Sequence, residues 1–154
     1  MFAPPAASAP EPVVTTSHAV LLLNLGGQRY GLPLRQVERV LPMASVLRLP
    51  GQASGMLGVL NVHGTVLPVI DPRPRLGIPS PIWRPDQRLV VVATPSQRFL
   101  LWVDAVEDVA DHAPEAVSAV GSPQANRLTT CVLRREGELV PILSAVALQD
   151  CLGG

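Results

Sequence analysis

The chain has 154 residues, 47% of them apolar and 16% charged, with twelve basic side chains against twelve acidic ones. That length suits one compact unit or two very small ones. Zero net charge leaves no cationic surplus to neutralise a phosphate backbone, which argues against a general nucleic-acid binder. All twelve basic residues are Arg, which coding bias explains more economically than phosphate recognition. Cys131 and Cys151 are too few and too far apart for a zinc site or a disulfide framework, so reduced, partly buried thiols are expected. Met1 to Pro5 lacks the cationic start and apolar stretch of a signal peptide. No apolar run approaches the roughly 18 residues that span a bilayer, so the chain is expected in the cytoplasm.

Residues 1–17 hold four Pro and four Ala with few large apolar side chains. They cannot bury enough surface to offset their ordering entropy and read as a flexible tail. Structure is expected from His18. Ala19 to Leu25 is an apolar run closed by Gly26-Gly27, with Gln28 to Leu32 returning, a hairpin pattern. Pro33 then sets up a short helix from Leu34 to Glu38, with Leu34 and Val37 on one face. After a Leu49-Pro50-Gly51 turn, Gly55 to Val62 and Thr65 to Ile70 flank His63-Gly64 as a second hairpin. Pro68 has no backbone donor, so its strand should lie at an edge or carry a bulge. Asp71 to Gly77 leaves the sheet, and Pro79 to Asp86 is a Pro-rich connector. Strands resume at Arg88 to Thr94 and Arg98 to Val103. A last hairpin joins Leu128–Arg135 to Glu138–Leu143 around Glu136-Gly137, and Ser144 can cap a short helix running through Gln149.

The chain repeats itself. Gln28-Arg29-Tyr30, Leu32, Val37-Glu38 and Val40 recur 69 residues later as Gln97-Arg98-Phe99, Leu101, Val106-Glu107 and Val109, six identities and one aromatic exchange in thirteen positions. Gly64 to Ile70 matches Gly137 to Leu143 at a spacing of 73, with the same turn Gly and the same strand Pro. The ordered chain is therefore two copies of one β-rich unit of about 70 residues. Most of the first lies in 18–86 and most of the second in 87–150. Units that small bury too little surface alone, so they should share a core. Five short strands per copy suit a small closed barrel, which leaves no unpaired edges. Two joined barrels leave a groove where another protein can dock.

No enzyme pattern is present. His18, His63 and His112 are isolated from one another in sequence. There is no nucleophile elbow, phosphate-cradling loop or zinc-binding His pair, and the absence of Lys excludes Schiff-base and Walker chemistry. Asp71 and Asp104 lie near strand ends without an acid–base partner in sequence. His63, ahead of Gly64, reads as a turn residue rather than a metal ligand. No catalytic, cofactor or metal site is expected. Trp83 in the connector is placed to cover a barrel end or a partner, whereas Trp102 reads as core. Charges near the two helical segments differ: Arg35, Glu38 and Arg39 in the first copy against Asp104, Glu107, Asp108 and Asp111 in the second. If both segments face outward, the two surfaces select different partners.

The runs Tyr30 to Val40, Gly58 to Asp71 with its Asn-x-x-Gly-x-x-x-Pro-x-x-Asp block, and Val103 to Val109 resemble CheW-like domains, the coupling proteins of bacterial chemosensory arrays. The likeness covers about residues 18–150. It implies an all-β fold of two five-stranded, SH3-like barrels sharing an apolar core. It also implies function by contact alone, holding a CheA-type histidine kinase against the cytoplasmic tip of chemoreceptors, without cofactor, nucleic acid or membrane insertion. Val37, Gly58, Asn61, Gly64 and Asp71 match positions associated with partner contact or with shaping the receptor groove. Glu38, Arg39, His63, Arg73 and Asp104 complete the expected partner-binding set. Three departures bear on partner choice. The family's usual Glu in Val-x-Glu-Val is Arg39, with Glu38 displaced by one; its Asn-Leu-Arg-Gly turn is Asn61-Val62-His63-Gly64; and Asp-Leu-Arg is Asp71-Pro72-Arg73. The first reverses a charge and the second replaces a permanent cation by an imidazole. An adaptor dedicated to pilus-based or gliding motility, and a divergent copy that binds receptor but not kinase, are the alternatives. A small-barrel oligonucleotide binder is the remote one.

Overall fold

The computed structural model describes residues 18–49, 55–120 and 128–152, without the side chain of Thr130. The expected tail over 1–17, and the turn at Leu49 from Pro50 onward, lie outside the described residues. Eleven strands are described: β1 Ala19–Leu25, β2 Gln28–Pro33, β3 Val37–Pro42, β4 Met56–Val62, β5 Thr65–Ile70, β6 Arg88–Ala93, β7 Arg98–Val103, β8 Ala105–Asp111, β9 Val117–Ala119, β10 Thr129–Arg135 and β11 Glu138–Leu143. They form two sheets, one ordered β8-β1-β2-β11-β10-β9 and the other β3-β6-β7-β5-β4. We call these the first and second barrels. Two short α-helices, α1 Arg73–Leu76 and α2 Ala145–Gln149, follow β5 and β11.

Successive side chains of a strand point to opposite faces, and the three apolar clusters follow that period. In β1, Leu21, Leu23 and Leu25 enter a core shared by the sheets, while Val20 and Leu22 fill the first barrel. In β6 and β7, Val90, Val92, Phe99, Leu101 and Val103 face the shared core, and Leu89, Val91, Leu100 and Trp102 fill the second barrel. Strands buried on both faces read as unbroken apolar runs rather than alternating ones, as these three do. Ser144 caps α2 by accepting a 3.2 Å hydrogen bond from the Ala147 N–H, and Ala145, Leu148 and the buried Cys151 close the shared core.

The two sequence copies do not form one barrel each. The first barrel takes β1 and β2 from the first copy and β8 to β11 from the second; the second takes β3 to β5 from the first and β6 and β7 from the second. The two halves of the chain thus contribute strands to both sheets, and the registers correspond between them. Val37 pairs with Val92 as Val106 pairs with Leu23. Val69 pairs in parallel with Leu100 as Ile142 pairs with Gly31. Register shifts fall at matching places, passing over Glu38 in β3 and Glu107 in β8. β5 is an interior strand, not the expected edge, and its register shift with β4 lies between Met56 and Gly58 rather than at Pro68. Pro68 and Pro141 each precede the residue where the second, parallel neighbour joins, so neither ring nitrogen deprives an interior ladder of a donor.

Three further expectations need correction. The helix from Leu34 to Glu38 is a three-residue 3-10 turn, Leu34–Gln36, after which Glu38 and Arg39 lie on β3. The acidic segment after Asp104 is likewise a strand, β8. Two apolar residues three apart cannot settle the period in so short a window, and Val-rich composition favours the strand. The first barrel has six strands rather than five because β9 adds to β10. Its counterpart in the second barrel is the single bridge Leu47 to Val59, with both N–H···O distances 2.9 Å.

Candidate partner-docking site

The β4–β5 hairpin turns through His63 and Gly64, with φ of 50° and 91°, the left-handed pair that matches strand twist in a two-residue turn. Asn61 Oδ1 accepts the Gly64 N–H at 2.8 Å and locks the turn. Asn24 does the same for Gly27 at 2.9 Å in the first hairpin. Gly58, one strand length earlier, is buried because the 43–49 segment runs across it: a Cβ there would stand 2.2 Å from the Leu47 carbonyl oxygen and 2.8 Å from Val46 Cγ1.

Residues from both ends of the second sheet line one cleft. Glu38 and Arg39 from β3, with Val62, His63, Thr65 and Leu67 from the hairpin and Arg98 from β7, line a polar cleft of about 200 Å³. Arg98 Nε donates to the Glu38 carboxylate at 3.0 Å. Glu38, Arg39, Asn61, His63 and Gly64 are all exposed, whereas Val37 is half buried against the shared core. Three of the ten expected residues, Glu38, Arg39 and His63, therefore line one cleft, with Asn61 and Gly64 exposed on the same hairpin.

Asp71, Arg73 and Asp104 belong elsewhere. Arg73 is fully buried and Asp71 is 5% exposed, so neither offers a face to a partner. Arg73 Nη1 donates to Asp71 Oδ1 at 2.9 Å, and Nη2 stands 3.3 Å from Asp104 Oδ1. The guanidinium lies 4.5 Å from the centre of the Trp102 ring. Ser80 Oγ donates to Asp71 Oδ2 at 2.5 Å and the Gly26 N–H to Asp104 Oδ2 at 2.6 Å. The two acids that lack a partner in sequence thus share one cation in space. The cluster pins α1, the β7–β8 junction and the first hairpin together, and with them both barrels. Trp102 is core as expected; its Nε1 donates to the buried Gln87 at 3.0 Å. Trp83, 44% exposed, donates to the Ala44 carbonyl at 3.2 Å and stands over a cavity of about 250 Å³ that Trp102 also lines.

Arg98, Ser80 and Trp102 were not singled out for these roles from the sequence. The duplication carries a signal for the first, because Arg98 repeats Arg29, which holds Glu107 at 2.7 Å in the same way. Its hydrogen bond to Glu107, then the charges of Glu107 and Glu138, raise the Arg29 pKa above its ordinary value. The histidines are not all apart: the His18 and His112 rings meet edge to face at 5.8 Å between centres. No group of three His, Cys, Asp or Glu side chains placed to hold a metal occurs among the described residues. Nor is any described helix long and apolar enough to cross a membrane.

Comparison with known proteins agrees with this architecture. Chemotaxis protein CheW of Bacillus subtilis is 27% identical over 140 residues, covering 89% of this chain and 90% of its own. Chemotaxis protein CheW of Helicobacter pylori is 25% identical over 126 residues, covering 77% and 73%. The crystal structure of the scaffolding protein TtCheW from Thermoanaerobacter tengcongensis superposes with a TM-score of 0.75 at 23% identity, covering 83% of this chain and 89% of that one. That likeness gives the fold, two SH3-like barrels. The CheW-like domain model matches residues 19–150, and the chain belongs to that family.

Proposed function

We propose that this chain is a non-catalytic chemosensory adaptor that couples chemoreceptors to a CheA-type histidine kinase. The family match over residues 19–150 is the observation that carries this reading. The exchange of strands supports it physically: two barrels built from each other's segments, and pinned by the buried Asp71–Arg73–Asp104 cluster, present their outer surfaces in a fixed relation. An adaptor needs that relation to hold two partners in register. Val37, Glu38, Arg39, Asn61, His63 and Gly64 supply the docking surface. Gly58 lies beneath the 43–49 segment, and Asp71, Arg73 and Asp104 hold the two barrels together. The chain works in the cytoplasm, recruited to receptor arrays, with no cofactor and no nucleic acid.

Arg39 favours a second reading, in which receptor binding is kept and kinase binding is not, because it puts a cation where the family usually has an acid. Pull-down of the kinase and of the receptor by the tagged full chain, each assayed alone, separates the two. Capture of both supports coupling. Capture of receptor alone supports the second reading, and capture of neither overturns both.

A further inference from the structure

The reciprocal exchange gives the docking cleft an internal control. Each residue lining it has a counterpart in the first barrel at the repeat spacing. Arg98 and Glu38 correspond to Arg29 and Glu107, and both pairs close as ion pairs, at 3.0 and 2.7 Å. Around that common pair the two copies diverge in charge. Arg39 corresponds to Asp108, His63 to Glu136 and Thr65 to Glu138. In the first barrel Glu138 also engages Arg29, at 2.9 Å, so that guanidinium is saturated by two carboxylates. In the second barrel Thr65 offers no carboxylate, and among the described residues Arg98 pairs with Glu38 alone. Among the described residues the exposed Arg39 side chain has neither an ion pair nor a hydrogen bond. Two arginines and an imidazole therefore face one glutamate across a cleft, where the counterpart positions set Arg29, and Arg135 in place of Val62, against four acids.

Resting on the adaptor reading above, we propose that the Glu38–Arg39–His63–Arg98 cleft receives a carboxylate side chain from an acidic segment of the partner protein. Arg39 is the recognising group. Its planar fork matches a carboxylate in two parallel hydrogen bonds. A more highly charged phosphate fits less well, because Glu38 stands in the cleft and the Gly64 N–H is already taken by Asn61. Charge at such an exposed rim selects the partner and sets the encounter rate.

The test uses the full chain and two fluorescein-labelled peptides, one of alternating Ala and Glu, the other with every Glu replaced by Gln. The Glu peptide should bind in low salt and weaken as salt rises. R39E should weaken it by about tenfold or more, R39Q by less, and D108R in the first barrel should leave it unchanged. Unaltered thermal melts would establish that the variants are folded. Equal binding of the two peptides, or an R39E affinity equal to that of the parent chain, overturns the proposal. So does displacement of the Glu peptide by inorganic phosphate at equal charge concentration, or a concentration-dependent dimer that R39E abolishes, since the occupant would then be a phosphate group or the acidic face of a second copy. The adaptor reading is judged separately by the pull-downs. If the parent chain captures receptor and kinase and R39E captures both equally, only the charge proposal falls; if the parent captures neither, the adaptor reading falls.

Discussion

Replacing Arg73 by Leu removes the one cation between Asp71 and Asp104 and leaves a carboxylate that is 5% exposed without a counter-charge. Breaking a buried pair from one side costs about 3–5 kcal/mol, because the remaining ion stays desolvated. Two features place this site in the lower part of that range. The Asp71 carboxylate keeps the Arg73 backbone N–H at 3.1 Å and Ser80 at 2.5 Å. Arg73 Nε and Nη2, in turn, make no directed hydrogen bond in the native state. The loss of the contact with Trp102 adds to the cost. The expected destabilisation is about 3–4 kcal/mol, or a fall in Tm of roughly 6–16 °C at 2–4 °C per kcal/mol for a domain of this size. Urea and thermal unfolding of R73L, D71N and the double variant measure it. The double variant should be more stable than the sum of the single losses by at least about 1 kcal/mol, since it strands no charge on Asp71. A loss below about 1 kcal/mol in R73L, or strict additivity, would refute the reasoning.

Gly58→Ala drives a Cβ into the Leu47 carbonyl and should cost about 2–3 kcal/mol in urea unfolding through crowding and the strained bridge to Val59. Gly64→Ala, with φ of 91° and nothing within 4 Å of its new Cβ, should cost only about 1–2 kcal/mol of backbone strain; the reverse order would contradict both assignments. Acrylamide should quench Trp83 emission and spare Trp102, so W83F should remove most of the quenchable fluorescence. Burial pushes the Cys151 thiol and the Tyr30 phenol up, with Asp150 adding to the thiol's shift and Arg75 opposing it. Both groups are neutral at pH 7 in the folded and unfolded chain. Above about pH 8.5 for the thiol and about pH 10 for the phenol, the unfolded chain releases protons that the folded one keeps, and stability falls as pH rises. The urea midpoint should therefore drop between pH 8 and 10.5, with a shallower drop in C151A; a flat profile would refute the shift.

Hairpin turns were legible because Gly26-Gly27, His63-Gly64 and Glu136-Gly137 sit between apolar runs, and five of the six strands so flagged have Val- or Leu-rich interiors. The repeated pattern was legible too, since Arg and Glu recur 69 residues apart and strand prolines 73 apart. What it could not reveal was the exchange. A repeat unit looks the same in sequence whether its β1–β2-type hairpin packs on its own later strands or on those of the other copy. The start of β3, Val37-Glu38, and the acidic segment of β8 read as helical because a bulge at Glu38 and Glu107 breaks the two-residue alternation. Among the candidate residues, the hairpin tip and its charged neighbours are exposed, whereas Asp71 and Arg73, expected at a surface, are buried. Their burial comes from a contact with Asp104, 31 residues further along from Arg73, which no local pattern announces.

The central claim is that the chain joins two macromolecules at once. Sedimentation of receptor-containing membranes with the CheA-type kinase of the same cell, with and without the purified chain, tests it most directly. The account predicts that the kinase pellets with the membranes only when the chain is present and that the chain pellets with it. Equal pelleting of the kinase in its absence, or a chain that stays in the supernatant, would contradict it.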